Sequence, residues 1–479
     1  MFLDTLERSR QSSRSSVVDV DTSESAPLDA LLASSQRLAS SFSEGERVAL
    51  MMHPGRAWLE VFLAVAWAGA AAVPLPLAAS SAERAHYLRE AEVERIVVDE
   101  AHGPTLRAEP SAVAVVLDED LRSAAIGGPL PRVRHDAPAL VLFTSGTTGK
   151  PKAALLTHAN LEAQTRALRD AWRVDAGDVL ATSLPLHHLH GIVVALLTTI
   201  SAGGSVRLHR RFDARQLLVD LEHSTVFMSV PTMLQRLVDA MDREPALAAG
   251  PRAQRLVTSG SAALPAALAQ RWASRAGSIP LERYGMTEIG IALSNPLAPT
   301  ERVVGSVGVE LVGVETRVVG DDGSPAPTGE LLVRGPSVFA GYGRPGRAVM
   351  AAVDAEGFLH TGDVVRRDDA GRFFILGRAS SDILKTGGEK VSALEIEEAL
   401  REHPDVIDAA VIGVPDELWG DRVVAFVVPR SAAVNPESVH AFARERLAPY
   451  KRPKELHLVA ELPRNAMGKV LKQELLRLL

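Results

Sequence analysis

The chain has 479 residues, enough for a large hydrophobic core and for two or more domains. Its 46% hydrophobic and 23% charged residues are the balance of an ordinary globular protein, and a net charge of −7 gives nucleic acid no basic surface to bind. There is no cysteine, which excludes disulfides, thiolate metal sites and cysteine-linked intermediates; any thiol chemistry must use a thiol supplied from outside.

The opening stretch "MFLDTLERSRQSSRSSVVDVDTSES" lacks the apolar run of a secretory leader. Its Arg and Ser content suggests a transit peptide, but Asp4, Glu7, Asp19 and Asp21 argue against one, so a polar, frayed start on a cytoplasmic protein is expected. "VFLAVAWAGAAAVPLPLAA" (residues 61–79) is uncharged and long enough to raise the question of a membrane span. Its alanines, Pro74 and Pro76, and the nearby Arg56 and Glu60 instead predict a buried helix running into a buried strand.

Further along, "ERIVVDE", "SAVAVVLDE", "PALVLFT" and "RLVTSGS" read as short buried strands that stop at turn residues. In "HANLEAQTRALRDAW" the residues Leu161, Thr165, Leu168 and Trp172 share one helical face. That alternation predicts an α/β fold with mostly parallel sheets. After residue 300, "VETRVVGDDGSPAPTGELLVRG" reads as two strands around a Gly/Pro/Asp turn, a small antiparallel region. The Gly-rich, charged stretch at 377–400 marks a boundary. From Ala393 onward helix, strand, strand, helix and a terminal helix form a small α+β domain, free to move on a flexible join.

Four stretches carry chemistry. "LFTSGTTGKPKAALLTH" (142–158) follows a strand and offers backbone N–H groups, hydroxyls and lysine to an anion, with phosphate the first candidate. Its spacing is not that of the common nucleotide loop, since two residues rather than four separate Gly146 from Gly149, and a plain Gly/Thr turn is the alternative. "ERYGMTE" (282–288) sets a ring for a base, a hydroxyl for phosphate and a carboxylate for Mg²⁺ within five residues; a surface turn would look the same. In "HTGDVVRRDDAGRFFILGR" (360–378), Asp363 could accept both hydroxyls of a ribose and Arg378 add a donor, unless both belong to an exposed turn. "LPRNAMGKV" (462–470) places Lys469 after a glycine, where a lysine is ordinarily just solvated.

Together, in this order and over nearly the whole chain, the four stretches resemble the acyl-adenylate-forming superfamily of acyl-CoA synthetases, luciferases and peptide-synthetase adenylation domains. The resemblance implies a large N-terminal domain (1–381) and a mobile lid (382–479) hinged at Asp382. It implies that ATP and a carboxylate give an acyl-AMP and pyrophosphate, after which a thiol displaces AMP. By the same resemblance, Thr144, Ser145, Gly146, Thr147, Thr148, Gly149 and Lys152 guide the phosphates, and Ser261 and Ala262 of "SGSAAL" border the adenine. Tyr284, Gly285, Met286 and Thr287 line the nucleotide, Thr144 and Glu288 bind Mg²⁺, and Asp363 and Arg378 hold the ribose. Lys469 stabilises charge where carboxylate meets α-phosphate. Gly387 and Gly388 of "KTGGEK" border the arm of coenzyme A, the expected thiol in preference to a carrier protein. Ala153 departs from the pattern, which has glycine after Pro-Lys.

The substrate is suggested by Arg283, directly before Tyr284. A buried arginine is costly unless paired, and a second carboxylate on the substrate would pair it; a protein acid is the alternative. "LPLHHLHG" (184–191) adds His188 and His190 where a fatty-acid pocket would be apolar, although either could be a satisfied core histidine. These stretches resemble malonyl-CoA and methylmalonyl-CoA synthetases, which implies that Arg283 binds the distal carboxylate with Ser294 nearby, and that His188 packs at the reacting end.

Overall fold

A computed structural model describes residues 2–9, 15–108, 113–144, 151–343, 353–431, 434–465 and 468–479. Two large sheets form its main body. In the nine-stranded sheet the strands Leu281–Met286, Leu256–Ser259, Val226–Ser229, Val179–Thr182, Ser205–Leu208 and Ser16–Asp19 lie side by side and parallel. Antiparallel strands flank them, Gly290–Ser294 and Val309–Glu310 at one edge and Glu24–Pro27 at the other. In the seven-stranded sheet Pro138–Thr144, Ala71–Pro74, Arg47–Met51, Arg95–Val98 and Ala114–Leu117 are parallel neighbours. A four-stranded antiparallel sheet contains the expected hairpin of Glu315–Val319 and Thr328–Arg334, together with Leu359–Arg367 and Phe373–Arg378.

Helices bury their apolar faces against these sheets. The uncharged stretch divides as its prolines require: Arg56–Trp67 is a helix in which Trp58 through Trp67 are buried, and Ala71–Pro74 is a fully buried strand. His158–Trp172 is a helix over the whole expected stretch, with Leu161, Thr165, Leu168 and Trp172 buried. Thr157 caps it by accepting the Asn160 N–H, while the Asn160 side chain accepts the Thr157 N–H in return. No helix among the described residues is long and apolar enough to cross a membrane.

The expectation of a frayed N-terminus is wrong. Phe2–Ser9 is a helix whose Phe2, Leu3 and Leu6 are buried, and Ser16–Asp19 pairs with Ser205–Leu208 inside the large sheet. Three large apolar side chains at positions 2, 3 and 6 make one helical face, and its burial outweighs the polarity of the rest.

After residue 383 a five-stranded sheet forms from Glu389–Ser392, Ile383–Thr386, Gly420–Pro429 and Val406–Asp416, with Glu455–Leu458 parallel to Gly420–Pro429. The helices Ala393–Arg401 and Pro436–Arg446 complete it. Its apolar clusters draw on residues 384–475, whereas the main clusters end at residue 375. Glu398 crosses between the two parts and accepts the Ala266 N–H at 2.8 Å, at the start of the helix Ala266–Ala276. Gly468 lies against Thr232, so that a Cβ on this glycine would stand 2.5 Å from the Thr232 hydroxyl.

Candidate functional site

Most of the candidate residues leave the carboxyl ends of parallel strands, where open α/β sheets bind ligands. Pro138–Thr144 ends at Thr144, which pairs with Lys152 across the base of the loop; Ser145, Gly146, Thr147, Thr148 and Gly149 lie outside the described residues. Leu256–Ser259 ends before Ser261 and Ala262, and Ser261 adopts a left-handed φ of 68°. Leu281–Met286 carries Arg283, Tyr284, Gly285 and Met286, and the turn into Gly290–Ser294 presents Thr287 and Glu288. Gly285 has no room for a side chain, because a Cβ there would stand 2.0 Å from the Gly290 carbonyl.

On the nucleotide side, Asp363 and Arg378 are cross-strand partners. The Asp363 carboxylate takes the Arg378 Nε at 2.8 Å and the Tyr284 hydroxyl at 2.5 Å, and Arg378 also donates to the Thr361 carbonyl at 2.9 Å. Burial raises the Asp363 pKa, against the opposing pull of Arg378, Tyr284 and Lys469. Burial also raises the Tyr284 hydroxyl, assisted by the Asp363 charge, so Tyr284 remains a neutral donor. This is a rigid polar edge whose carboxylate keeps acceptor capacity for a sugar hydroxyl.

The donor set for a hard cation lies close by. Glu288 is buried, and its Oε1 accepts the Tyr342 hydroxyl at 2.5 Å; Thr144 also bonds Tyr342, and Lys152 sits 5.4 Å above the Tyr342 ring. No cation of the protein pairs with Glu288 among the described residues. A buried carboxylate with a hydroxyl beside it fits oxygen ligation of Mg²⁺. Tyr342 was not singled out from sequence, because its partner is 54 positions away.

On the candidate acyl side, Arg283 is buried, and its Nε and Nη2 have no partner among the described residues and no exposure to solvent. Burial lowers its pKa to about 10. The guanidinium lies flat against Gly260, where an added Cβ would approach its Cζ to 2.3 Å. His190 opens a π-helical segment, His190–Leu197, and its Nδ1 stands 3.5 Å from the Ser261 hydroxyl. Burial lowers the pKa of His190, helped by the Arg283 charge, and lowers His188 to about 4. Both imidazoles are therefore neutral at physiological pH and offer hydrogen bonds, not charge. Ser294 faces Arg283 in register, but its hydroxyl donates to the Asn295 carbonyl and accepts the Trp172 indole N–H. Gly260 was missed because a backbone cradle for an arginine leaves no mark in the sequence beyond the glycine itself.

The small domain brings Lys469 to this site. Lys469 is exposed, Asn465 braces its backbone, and its charge acts on both Asp363 and Asp382. Asp382 is buried; its carboxylate takes Lys472 Nζ at 2.6 Å and the Arg378 N–H at 2.9 Å. Burial would raise its pKa, but Lys472, the Arg378 N–H and Lys469 together outweigh that and hold it low. Gly387 and Gly388 form the exposed tip of a hairpin, with φ of 59° and 85°, and Gly387 lies against the Trp419 ring.

The fold defines an enzyme of the adenylate-forming class. The chain belongs to the AMP-binding enzyme family, whose model matches residues 10–343; a model of the AMP-binding enzyme C-terminal domain matches residues 395–469. It is 45% identical over 379 residues to the mouse (Mus musculus) mitochondrial malonate–CoA ligase ACSF3, a match that covers 72% of this chain and 65% of that protein. The ATP-bound crystal structure of MatB from Rhodopseudomonas palustris is similar, with a TM-score of 0.91 at 33% identity over 98% of this chain and 97% of that one. A malonyl-CoA ligase in a ternary product complex with methylmalonyl-CoA and AMP is 36% identical, covering 95% and 97%, but its TM-score is 0.70.

Proposed function

We propose that this chain is an AMP-forming malonate or methylmalonate–CoA ligase. One oxygen of the reacting carboxylate attacks the α-phosphorus of ATP, giving acyl-AMP and releasing pyrophosphate. The thiol of coenzyme A then attacks the acyl carbon, and AMP leaves. Asp363 and Arg378 hold the ribose, Tyr284 braces Asp363, and residues 144–152 receive the β- and γ-phosphates. Glu288 and Thr144 would hold Mg²⁺, which when bound would supply neutralising charge to the phosphates. Lys469 offsets charge where carboxylate oxygen and α-phosphate meet, a contribution that depends on its being held in place beforehand. Residues 1–381 bind ATP and acid, and residues 382–479 act as the lid, turning at Asp382 to withdraw Lys469 and bring Gly387 and Gly388 toward the thiol.

The observation that carries the substrate assignment is the Arg283 guanidinium, buried and, among the described residues, without a carboxylate to pair with. A substrate with a second carboxylate completes it, and the neutral His188 and His190 leave that charge unshared. The relatives named for malonate and methylmalonyl-CoA support the same reading. AMP release should be measured with malonate, methylmalonate, succinate, acetate, octanoate and sulfoacetate, the last replacing the distal carboxylate with a sulfonate. Malonate or methylmalonate should be turned over fastest; octanoate turned over as fast would overturn the assignment. Pyrophosphate exchange with no thioester formed from free coenzyme A would point to a carrier protein as acceptor. Cytoplasmic residence is part of the same proposal, and cell fractionation tests it.

A further inference from the structure

A second cluster of ligating side chains lies outside the residues assigned above. The strands Arg47–Met51 and Arg95–Val98 are parallel neighbours with Met51 opposite Val98, so the residues just beyond their ends meet. His53 follows the first strand, Asp99 follows the second, and His102 lies three residues on. Asp99 Oδ2 accepts the His53 N–H at 2.8 Å and stands 2.7 Å from His53 Nδ1. Asp99 Oδ1 stands 2.5 Å from His102 Nδ1 and accepts the His102 N–H at 3.2 Å. The two rings are 4.8 Å apart between centroids and inclined at 46°, and no other side chain among the described residues bonds either ring.

We propose that His53, Asp99 and His102 bind one divalent transition cation of the zinc class. One ligand atom from each residue can be chosen so that all three lie within 4.8 Å of one another, and no other such trio of histidine and carboxylate groups occurs among the described residues. Two imidazoles and a carboxylate select zinc, cobalt or nickel over magnesium, so this site does not compete for the cation of the nucleotide. Both imidazoles now share Nδ1 protons with Asp99. Moving each proton to Nε2 keeps the rings neutral and frees both Nδ1 lone pairs. A tetrahedral ion with bonds of about 2.0–2.1 Å spreads its ligand atoms to roughly 3.3 Å, so the trio must open by about 0.7 Å. His53 is 40% exposed, His102 21% and Asp99 22%, which leaves room for that opening and for a water as fourth ligand.

The position gives the cation a consequence. Met52 and Pro54, on either side of His53, line a cavity of about 600 Å³ that also reaches Thr232 and Gly468, where the small domain rests. An ion on His53 would therefore pin one wall of the space between the two parts of the chain.

The chelator-stripped full-length enzyme, free of nucleotide, should be titrated with Zn²⁺ against a chromophoric chelator in millimolar Mg²⁺. One Zn²⁺ per chain is expected, together with a rise in melting temperature on loading. His53→Ala/His102→Ala should weaken binding by about 100-fold or more and remove the melting shift. If the double variant unfolds, Asp99→Asn and His102→Ala read out the same loss singly. Wild-type enzyme that takes up no stoichiometric Zn²⁺, or variants that bind it undiminished, would overturn the proposal.

Discussion

Replacing Arg283 separates its role in specificity from its role in the fold. Its guanidinium is buried, two of its nitrogens lack partners among the described residues, and desolvation holds its pKa near 10, so the fold keeps there a charge it does not satisfy. Removing one partner of a buried, hydrogen-bonded charge pair costs roughly 2–5 kcal/mol. Arg283→Met should therefore lower kcat/KM for malonate by about 30- to 4,000-fold, with the KM for ATP nearly unchanged. Methionine fills similar volume and carries no charge, so the variant without substrate should melt at a higher temperature than the wild type. Acetate, which has no distal group, should lose little or gain. Coupled AMP-release kinetics across malonate and acetate, with thermal melts of each protein, measure all of this. Equal losses for both acids would refute the reasoning, because Arg283 would then be supporting the site as a whole. A melting temperature that falls would show that the guanidinium is paired after all.

Gly260→Ala should act on the same arginine from outside, since its Cβ would press on Cζ; malonate KM should rise about tenfold or more while ATP KM holds, and an unchanged malonate KM would remove Gly260 from the cradle. Lys469→Ala should abolish pyrophosphate exchange yet leave thioester formation from supplied malonyl-AMP largely intact, and surviving exchange would sink the role given to this lysine. Glu282 is raised to about 8 from 4.5, chiefly by burial. Because the native state then holds its proton more tightly, its contribution to stability is complete below about pH 4.5 and is lost as pH rises through about 8. Glu282→Gln should flatten the fall in unfolding free energy between those limits, measured by urea titration, and exceed the wild type at pH 8 by a few kcal/mol; an unchanged pH slope would place the titration elsewhere.

Much of this architecture was legible because it follows from local pattern. The helix His158–Trp172 and the division of 61–79 by its prolines needed only periodicity and a missing N–H. Thr287, Glu288, Asp363 and Arg378 could be picked out as candidates because each carries its own chemistry, whereas where strand ends bring candidates together is a property of the fold. The helix Phe2–Ser9 escaped because a mostly polar stretch hid three large apolar residues on one face. Tyr342 and Gly260 escaped for a different reason: one matters through a partner in a distant segment, the other through the space it leaves empty. The state of the histidines was equally hidden, since their neutrality comes from burial that no single residue announces.

The proposed hinge and the proposed catalytic lysine share one short arm: Lys472, which grips Asp382, lies three residues beyond Lys469. On the roles assigned above, a torsion at one peptide levers both at once, so the two half-reactions lie along a single mechanical coordinate. The order of events is then written into the linkage, because the thiol cannot be served until the arm that served the phosphate has swung away. Such an enzyme would keep its activated acid from stray nucleophiles by timing rather than by walls.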